Sequence, residues 1–180
     1  MVFVFLAPGF EESEAICPID ILRRAELDVV TVSITDDREV TGAHGITVKA
    51  DVSLSELPLC HAEAIVLPGG MPGTKNLEAC AVLQDWIRLA QKDKALLCAI
   101  CAAPMILGKM GILEGKKATC YPGFEQYLLG ATVVGGSVRT EDNVITACGM
   151  GAAIEFGLAI VAALKGIQAS EKIKNAILAR

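Results

Sequence analysis

Cys101 is the residue of this chain whose setting points most directly to chemistry. It sits in the run Ala95 to Leu107, Ala-Leu-Leu-Cys-Ala-Ile-Cys-Ala-Ala-Pro-Met-Ile-Leu. The first half, Ala95 to Ile100, is an unbroken apolar segment of the kind a strand needs when both its faces are covered, as in a parallel sheet. Pro104 suits the first turn of a following helix, where a missing N–H costs nothing and the fixed φ is already helical. Cys101 then falls at the corner between strand and helix. Unpaired amides and the helix dipole favour negative charge there, so the thiol is expected to ionise more readily than a free one. Ala102 and Ala103 keep the corner small and open. Two plainer roles compete. Free cysteines are among the most buried residue types, so Cys101 could be core. The spacing Cys98-x-x-Cys101 also matches a thioredoxin-like redox pair, but Cys98 lies inside the apolar run and is expected to point into the sheet.

Two other stretches could serve such a thiol. Glu11, Glu12, Ser13 and Glu14 follow Pro8-Gly9-Phe10 at the start of a helical pattern. Acidic side chains at a helix start complement its dipole, which alone accounts for them. Glu14 has a further use if the sheet is parallel, because the loops after the strands then gather at one edge and bring it near Cys101. Pro68-Gly69-Gly70-Met71-Pro72-Gly73 follows another apolar run. Its backbone N–H groups could approach an anion or a developing oxyanion, and a tight turn is the simpler account. No Walker or dinucleotide fingerprint is present. His44, in the alternating stretch Thr41 to Ala50, reads as a solvated loop histidine.

The elements that must position these residues follow from hydrophobic periodicity. Val2 to Ala7, Val29 to Ile34, Ala64 to Leu67 and Ala95 to Ile100 read as core strands. Lys117 to Cys120, Ala131 to Val134, Ser137 to Thr140 and Val144 to Ala147 read as shorter strands or hairpin arms, and Thr41 to Ala50 as a small hairpin. Helices are expected from the acidic cluster to Ala25, over Cys80 to Lys92, from Pro104 to about Met110, as a buried segment over Gly151 to Leu164, and finally behind a Ser170 cap. Strands alternating with helices give an α/β fold, a flavodoxin-like three-layer sandwich with a mostly parallel central sheet.

A chain of 180 residues suits one domain, residues 1–180. The net charge of −5 and an aromatic content of 4% argue against nucleic acid or an anionic membrane as partner. Hydrophobic residues reach 53%, but the most apolar run, Ala147 to Leu164, is broken by Glu155 and by glycines, and its helical part is too short to span a bilayer. The start Met-Val-Phe-Val-Phe-Leu-Ala-Pro-Gly lacks a basic n-region and reads as a strand, not a signal peptide. Seven cysteines without an export signal imply free thiols in a reducing, cytoplasmic setting. With His44 and His61 the only histidines and no paired Cys-x-x-Cys knuckles, no metal site is expected.

Leu6-Ala7-Pro8-Gly9-Phe10-Glu11-Glu12-Ser13-Glu14, Leu67-Pro68-Gly69-Gly70 and Ala99-Ile100-Cys101-Ala102-Ala103-Pro104 together resemble the ThiJ/PfpI superfamily, and within it the Parkinsonism-associated deglycase branch with its YajL-like bacterial members. The resemblance reaches Glu155-Phe156-Gly157-Leu158-Ala159-Ile160 in the late helix. It implies that Cys101 is the reactive elbow cysteine, Glu14 the acid hydrogen-bonded to it, and Gly70 and Ala102 the backbone donors, with Gly69 beside them. It implies a homodimer with sites near the interface, where Arg24 corresponds to a basic residue and His44 stands about where many members carry arginine. Two departures matter. Peptidase members have a histidine directly after the nucleophile, where this chain has Ala102, so a Cys-His peptidase is not implied. Some members have a histidine where Tyr121 precedes Pro122, which removes one proton shuttle. The implied function is a cofactor-independent glyoxalase or deglycase acting on methylglyoxal-like α-oxoaldehydes or their protein adducts. The alternative is an oxidative-stress sensor or chaperone that oxidises Cys101 to sulfinic acid. A thiazole monophosphate role follows from the superfamily name alone.

Overall fold

A computed structural model describes residues 1–179. The strands, in chain order, are β1 (Val2–Leu6), β2 (Val29–Ser33), β3 (Glu39–Thr41), β4 (Thr47–Lys49), β5 (Val52–Ser53), β6 (Ala64–Leu67), β7 (Leu96–Ile100), β8 (Lys117–Ala118), β9 (Thr132–Val133), β10 (Val138–Glu141) and β11 (Val144–Ala147). The helices are α1 (Glu12–Arg24), α2 (Gly73–Ala79), α3 (Ala81–Lys92), α4 (Pro104–Lys109), α5 (Ala153–Lys165) and α6 (Ile167–Ala176). Seven strands form one sheet in the order β10-β11-β7-β6-β1-β2-β5, parallel throughout except for the β10–β11 hairpin. The β3–β4 hairpin forms where alternation placed it, with Val40 opposite Val48. Among the described residues no helix is long and apolar enough to cross a membrane.

The two-residue period of β1 divides the core. Val2, Val4 and Leu6 face a layer completed by α1 and α5, while Phe3, Phe5 and Ala7 face a layer holding Trp86 of α3. Trp86 meets Phe3 and Phe5 edge-on, with ring centroids 4.8 and 5.7 Å apart. Each such buried aromatic contributes roughly 2–3 kcal/mol over an exposed one. Helices on both faces of a mostly parallel sheet give the three-layer architecture expected. Strand order reverses between β1 and β6, so the loops leaving β1, β6 and β7 meet at the carboxyl edge around a topological switch point.

Helix α1 lies on α5 where Gly157 faces it. A Cβ there would stand 3.1 Å from the Pro18 Cα and 3.0 Å from the Ile21 Cδ1, so only a hydrogen fits without adjustment.

Three expectations need correction. Ser170 caps nothing: α6 begins at Ile167 behind Gly166, and the Ser170 hydroxyl donates to the Leu158 carbonyl across the α5–α6 turn, 2.8 Å away. Helix α5 is buried on one face only, since Ile154 and Glu155 are exposed. Helix α2 occupies Gly73–Ala79, a stretch for which the periodicity gives no helix. Its first residue anchors by donating to the Gly9 carbonyl, 3.0 Å away.

Candidate active site

Cys101 follows β7 directly. Its N–H completes the last rung of the ladder to β11, donating to the Ala147 carbonyl at 2.8 Å, and its own carbonyl accepts the Tyr121 N–H at 2.8 Å. Held from both sides, the residue adopts φ +64°, a left-handed conformation that costs a non-glycine residue on the order of 1 kcal/mol or more. The chain turns sharply into α4, with Pro104 at its first position as expected. The turn also redirects the side chain. Alternation along β7 puts Cys98 and Ile100 on the α1 side and Ala99 on the other, yet Cys101 also packs on the α1 side. Cys98 is buried within the sheet, and burial pushes its thiol well above the ordinary range, so the two cysteines do not share a helix start.

Glu14 reaches this corner from the first turn of α1. Glu11 caps the helix, its carboxylate accepting the Glu14 N–H at 2.7 Å, while the Glu11 N–H donates to the Gly69 carbonyl at 2.9 Å. Glu14 Oε2 in turn accepts the Gly69 N–H at 3.0 Å, and the Glu14 carboxyl lies close enough to Cys101 for each group to shift the other's titration. Gly69 has no room for a side chain, because a Cβ would lie 2.5 Å from Glu14 Oε2 and 2.6 Å from the Cys101 Cβ. The backbone N–H groups of Gly70 and Ala102 face the Cys101 sulfur, Gly70 at φ +90°. Thiol, acid and both backbone donors therefore meet, with Gly69 between acid and thiol.

The electrostatics differ from the expectation of an acidic thiol. Burial first, then the Glu14 carboxylate, push Cys101 up to about 12, against the pull of the Ala102 and Gly70 amides. Burial also raises Glu14 to about 7, helped by the Glu11 charge and opposed by the Cys101 and Gly69 hydrogen bonds. The helix start alone does not decide the thiol's acidity. Once Glu14 holds a proton, its repulsion of the thiolate disappears and its O–H becomes a donor to sulfur, so the two groups titrate together.

Tyr121 stands at the rim, half-exposed, with its ring 3.3 Å from where a Cβ on Gly149 would lie. Beside it opens a groove of about 860 Å³ whose walls include Cys120, Tyr121, Gly136, Cys148 and Gly149. Within the single chain, His44 and Arg24 bond partners outside this cluster. The His44 ring pairs with Glu12 at 2.9 Å on the outer side of the α1 start. Arg24 pairs with Asp20 at 2.5 Å. It lies about 15 Å along α1 from Glu14 at 1.5 Å rise per residue. Glu11, Glu12 and His44 bring potential metal ligand atoms within 4.8 Å of one another, but both Glu12 oxygens already accept hydrogen bonds from the β3–β4 hairpin. Reading the sequence alone missed the structural part of Glu11, although its place three residues before Glu14 is a capping spacing. Cys148 and Gly149 were also missed as neighbours of the site, since only the strand order brings them there.

A cysteine in left-handed conformation between a parallel strand and a helix, faced by a buried acid and two amides, defines the nucleophile-elbow class of α/β proteins. The chain belongs to the DJ-1/PfpI family, whose model matches residues 1–163. It is 37% identical over 182 residues to protein DJ-1 homolog A of Arabidopsis thaliana, covering 99% of this chain and 46% of that one. The chain thus spans less than half the length of this plant relative. It is 33% identical over 158 residues to the glutathione-independent glyoxalase DJR-1.2 of Caenorhabditis elegans, covering 87% of this chain and 83% of that protein. Among solved structures, that of oxidized Toxoplasma gondii DJ-1 superposes with a TM-score of 0.95 at 34% identity, over 98% of this chain and 97% of that one.

Proposed function

We propose that the protein is a cofactor-independent glyoxalase or deglycase acting on methylglyoxal-like α-oxoaldehydes or their protein adducts. The observation that carries this reading is the buried Glu14 carboxyl beside Cys101, the two separated only by the space a Gly69 side chain would fill, with the Gly70 and Ala102 amides close to the same sulfur. With its pKa near 7, Glu14 is matched to proton transfer at neutral pH, whatever the resting acidity of the thiol. Glu14 takes the Cys101 proton as sulfur adds to the aldehyde carbon. The new oxyanion of the hemithioacetal is held by the Gly70 and Ala102 N–H groups. Glu14 returns that proton to the oxyanion, then takes the hydrogen of the sulfur-bearing carbon to give an enediol and delivers it to the neighbouring carbon, while the hydroxyl proton of the sulfur-bearing carbon passes to the adjacent oxygen, leaving a thioester that water cleaves to lactate and free thiol. DJR-1.2, a relative named as a glyoxalase, supports the reading. Lactate formed from methylglyoxal by purified protein is the test: Cys101→Ser should abolish it, and equal rates would overturn the proposed nucleophile.

A second reading, a sensor of oxidative stress, is favoured by the same donors. A protonated Glu14 and two amides would also hold a sulfinate, and a relative whose solved structure is named as oxidized supports it. A homodimer belongs with either reading. The exposed apolar residues Ile16 of α1 and Ile154 of α5 lie on the outer face of these two packed helices, as a self-association surface requires. A single sedimenting species of monomer mass at micromolar concentration would sink the dimer. Seven free thiols accord with a cytoplasmic setting.

A further inference from the structure

The carboxyl edge of the sheet brings a second thiol beside the elbow. In the parallel ladder Ala147 of β11 is paired with Ile100 of β7, so the next residues in register are Cys148 and Cys101. Both follow the last paired residue directly, and the Cys101 N–H still bonds the Ala147 carbonyl at 2.8 Å. Neighbouring strands run about 4.8 Å apart, inside the Cα separation of about 4.4–6.8 Å that a disulfide spans. From the other side, a Cβ on Gly149 would lie 4.0 Å from the Oε1 of Glu14, whose carboxyl neighbours Cys101 across Gly69. Cys148 is therefore flanked by two residues that touch the centre. Both cysteines pack against the same core layer, and both are free and partly exposed. Cys148 lines the open groove, which gives it a path to solvent and to oxidants.

We propose that Cys148 is the resolving thiol for Cys101, so that a hydroperoxide converts the pair into an intramolecular disulfide and takes the centre out of action reversibly. Sulfur of Cys101 attacks the outer oxygen of the hydroperoxide and the O–O bond breaks. Cys101 becomes a sulfenic acid, and the other oxygen leaves as alcohol, or as water when the oxidant is hydrogen peroxide. Cys148 sulfur then attacks the Cys101 sulfur, the S–S bond forms, the S–OH bond breaks, and the hydroxide departs as water with the Cys148 proton. Two electrons pass from the two thiols to the peroxide, and an external dithiol restores both. The step rests on Cys101 being the reactive thiol but not on turnover of any aldehyde. It also protects the centre, since a sulfenic acid captured as a disulfide does not advance to sulfinic acid.

The test treats the full chain with a few equivalents of hydrogen peroxide, alkylates it, digests it without reductant and maps cysteines by mass spectrometry. A Cys101–Cys148 linked peptide is expected in the wild type and in Cys120→Ser. In Cys148→Ser it is absent, and Cys101 sulfinate rises by about fivefold or more. Equal sulfinate yields with and without Cys148, or a link from Cys101 to Cys120, would overturn the assignment while leaving Cys101 as the reactive thiol. No modification at Cys101 in any variant would overturn both.

Discussion

Glu12 and Glu14 stand two residues apart in the first turn of α1, both out of solvent, and their carboxyls are driven in opposite directions. Burial pulls Glu12 upward. The His44 ring and the His44 and Ile46 N–H groups more than offset it, at 2.9, 2.8 and 3.3 Å, and hold the carboxylate at about 2. Glu14 receives the Gly69 N–H and a thiol, neither sufficient against burial and the nearby Glu11 charge, and rises to about 7. Glu14 is set deeper than Glu12 and has fewer donors, and depth and donor supply together decide which carboxylate stays charged. One acid becomes a fastener for the hairpin. The other is left able to exchange a proton near neutral pH beside the sulfur.

The comparison breaks most visibly in turnover. Glu14→Gln should lower lactate formation from methylglyoxal by about a hundredfold or more, whereas Glu12→Gln should stay within about threefold of wild type. Equal losses would mean that both acids serve the reaction.

Stability against pH separates them next. Below about 4.5 the folded and unfolded chains both hold the Glu14 proton; between there and about 7 only the folded chain does, so stability falls as pH rises through this window. The loss attributable to Glu14 is about 3 kcal/mol, read as the difference between wild type and Glu14→Gln in urea unfolding at pH 4.5 and 7.5. Glu12 acts with the opposite sign and elsewhere. Its contribution is complete above about 4.5 and is lost as pH falls towards 2. A flat difference across the first window would refute the raised Glu14.

Gly69→Ala sharpens the contrast from the backbone side. The methyl group collides with Glu14 Oε2 and the Cys101 Cβ, and should cost about 2 kcal/mol with loss of turnover, while leaving the hairpin amides as protected as before. The smallest effect belongs to Glu12→Ala. Removing the acceptor leaves the His44 and Ile46 amides to water and should cost about 1 kcal/mol, seen as faster hydrogen exchange at those two amides.

Much of this arrangement could be read from residue order. The apolar runs at Val2 and Ala95, the proline after Cys101 and the glycines after Leu67 each carry a local signal, and the α/β alternation places their loops on one edge. Matching residues to a family added Glu14, Gly70 and Ala102 to the centre, and all three do meet there. What stayed hidden depends on contacts between distant segments. Burial of Glu14 follows from the loop after β6 closing over it, and no pattern in 11–14 records that. The α2 helix is short and opens in a Pro-Gly stretch that reads as turn, yet a tertiary anchor at Gly9 stabilises it. Ser170 has the right chemistry for a cap, but Gly166 already ends α5 and starts α6. His44 and Arg24 matched family positions near a dimer interface, and within one chain they pair with Glu12 and Asp20.

Gly157 contributes no atom to the reaction, but it sets how deeply the acid-bearing helix can settle. One added methyl at that seam would press on Pro18, one turn beyond Glu14, and shift the helix by a few tenths of an ångström. The seating of the acid-bearing helix is therefore set from the far end of the chain, at a site that an inventory of reactive groups would pass over.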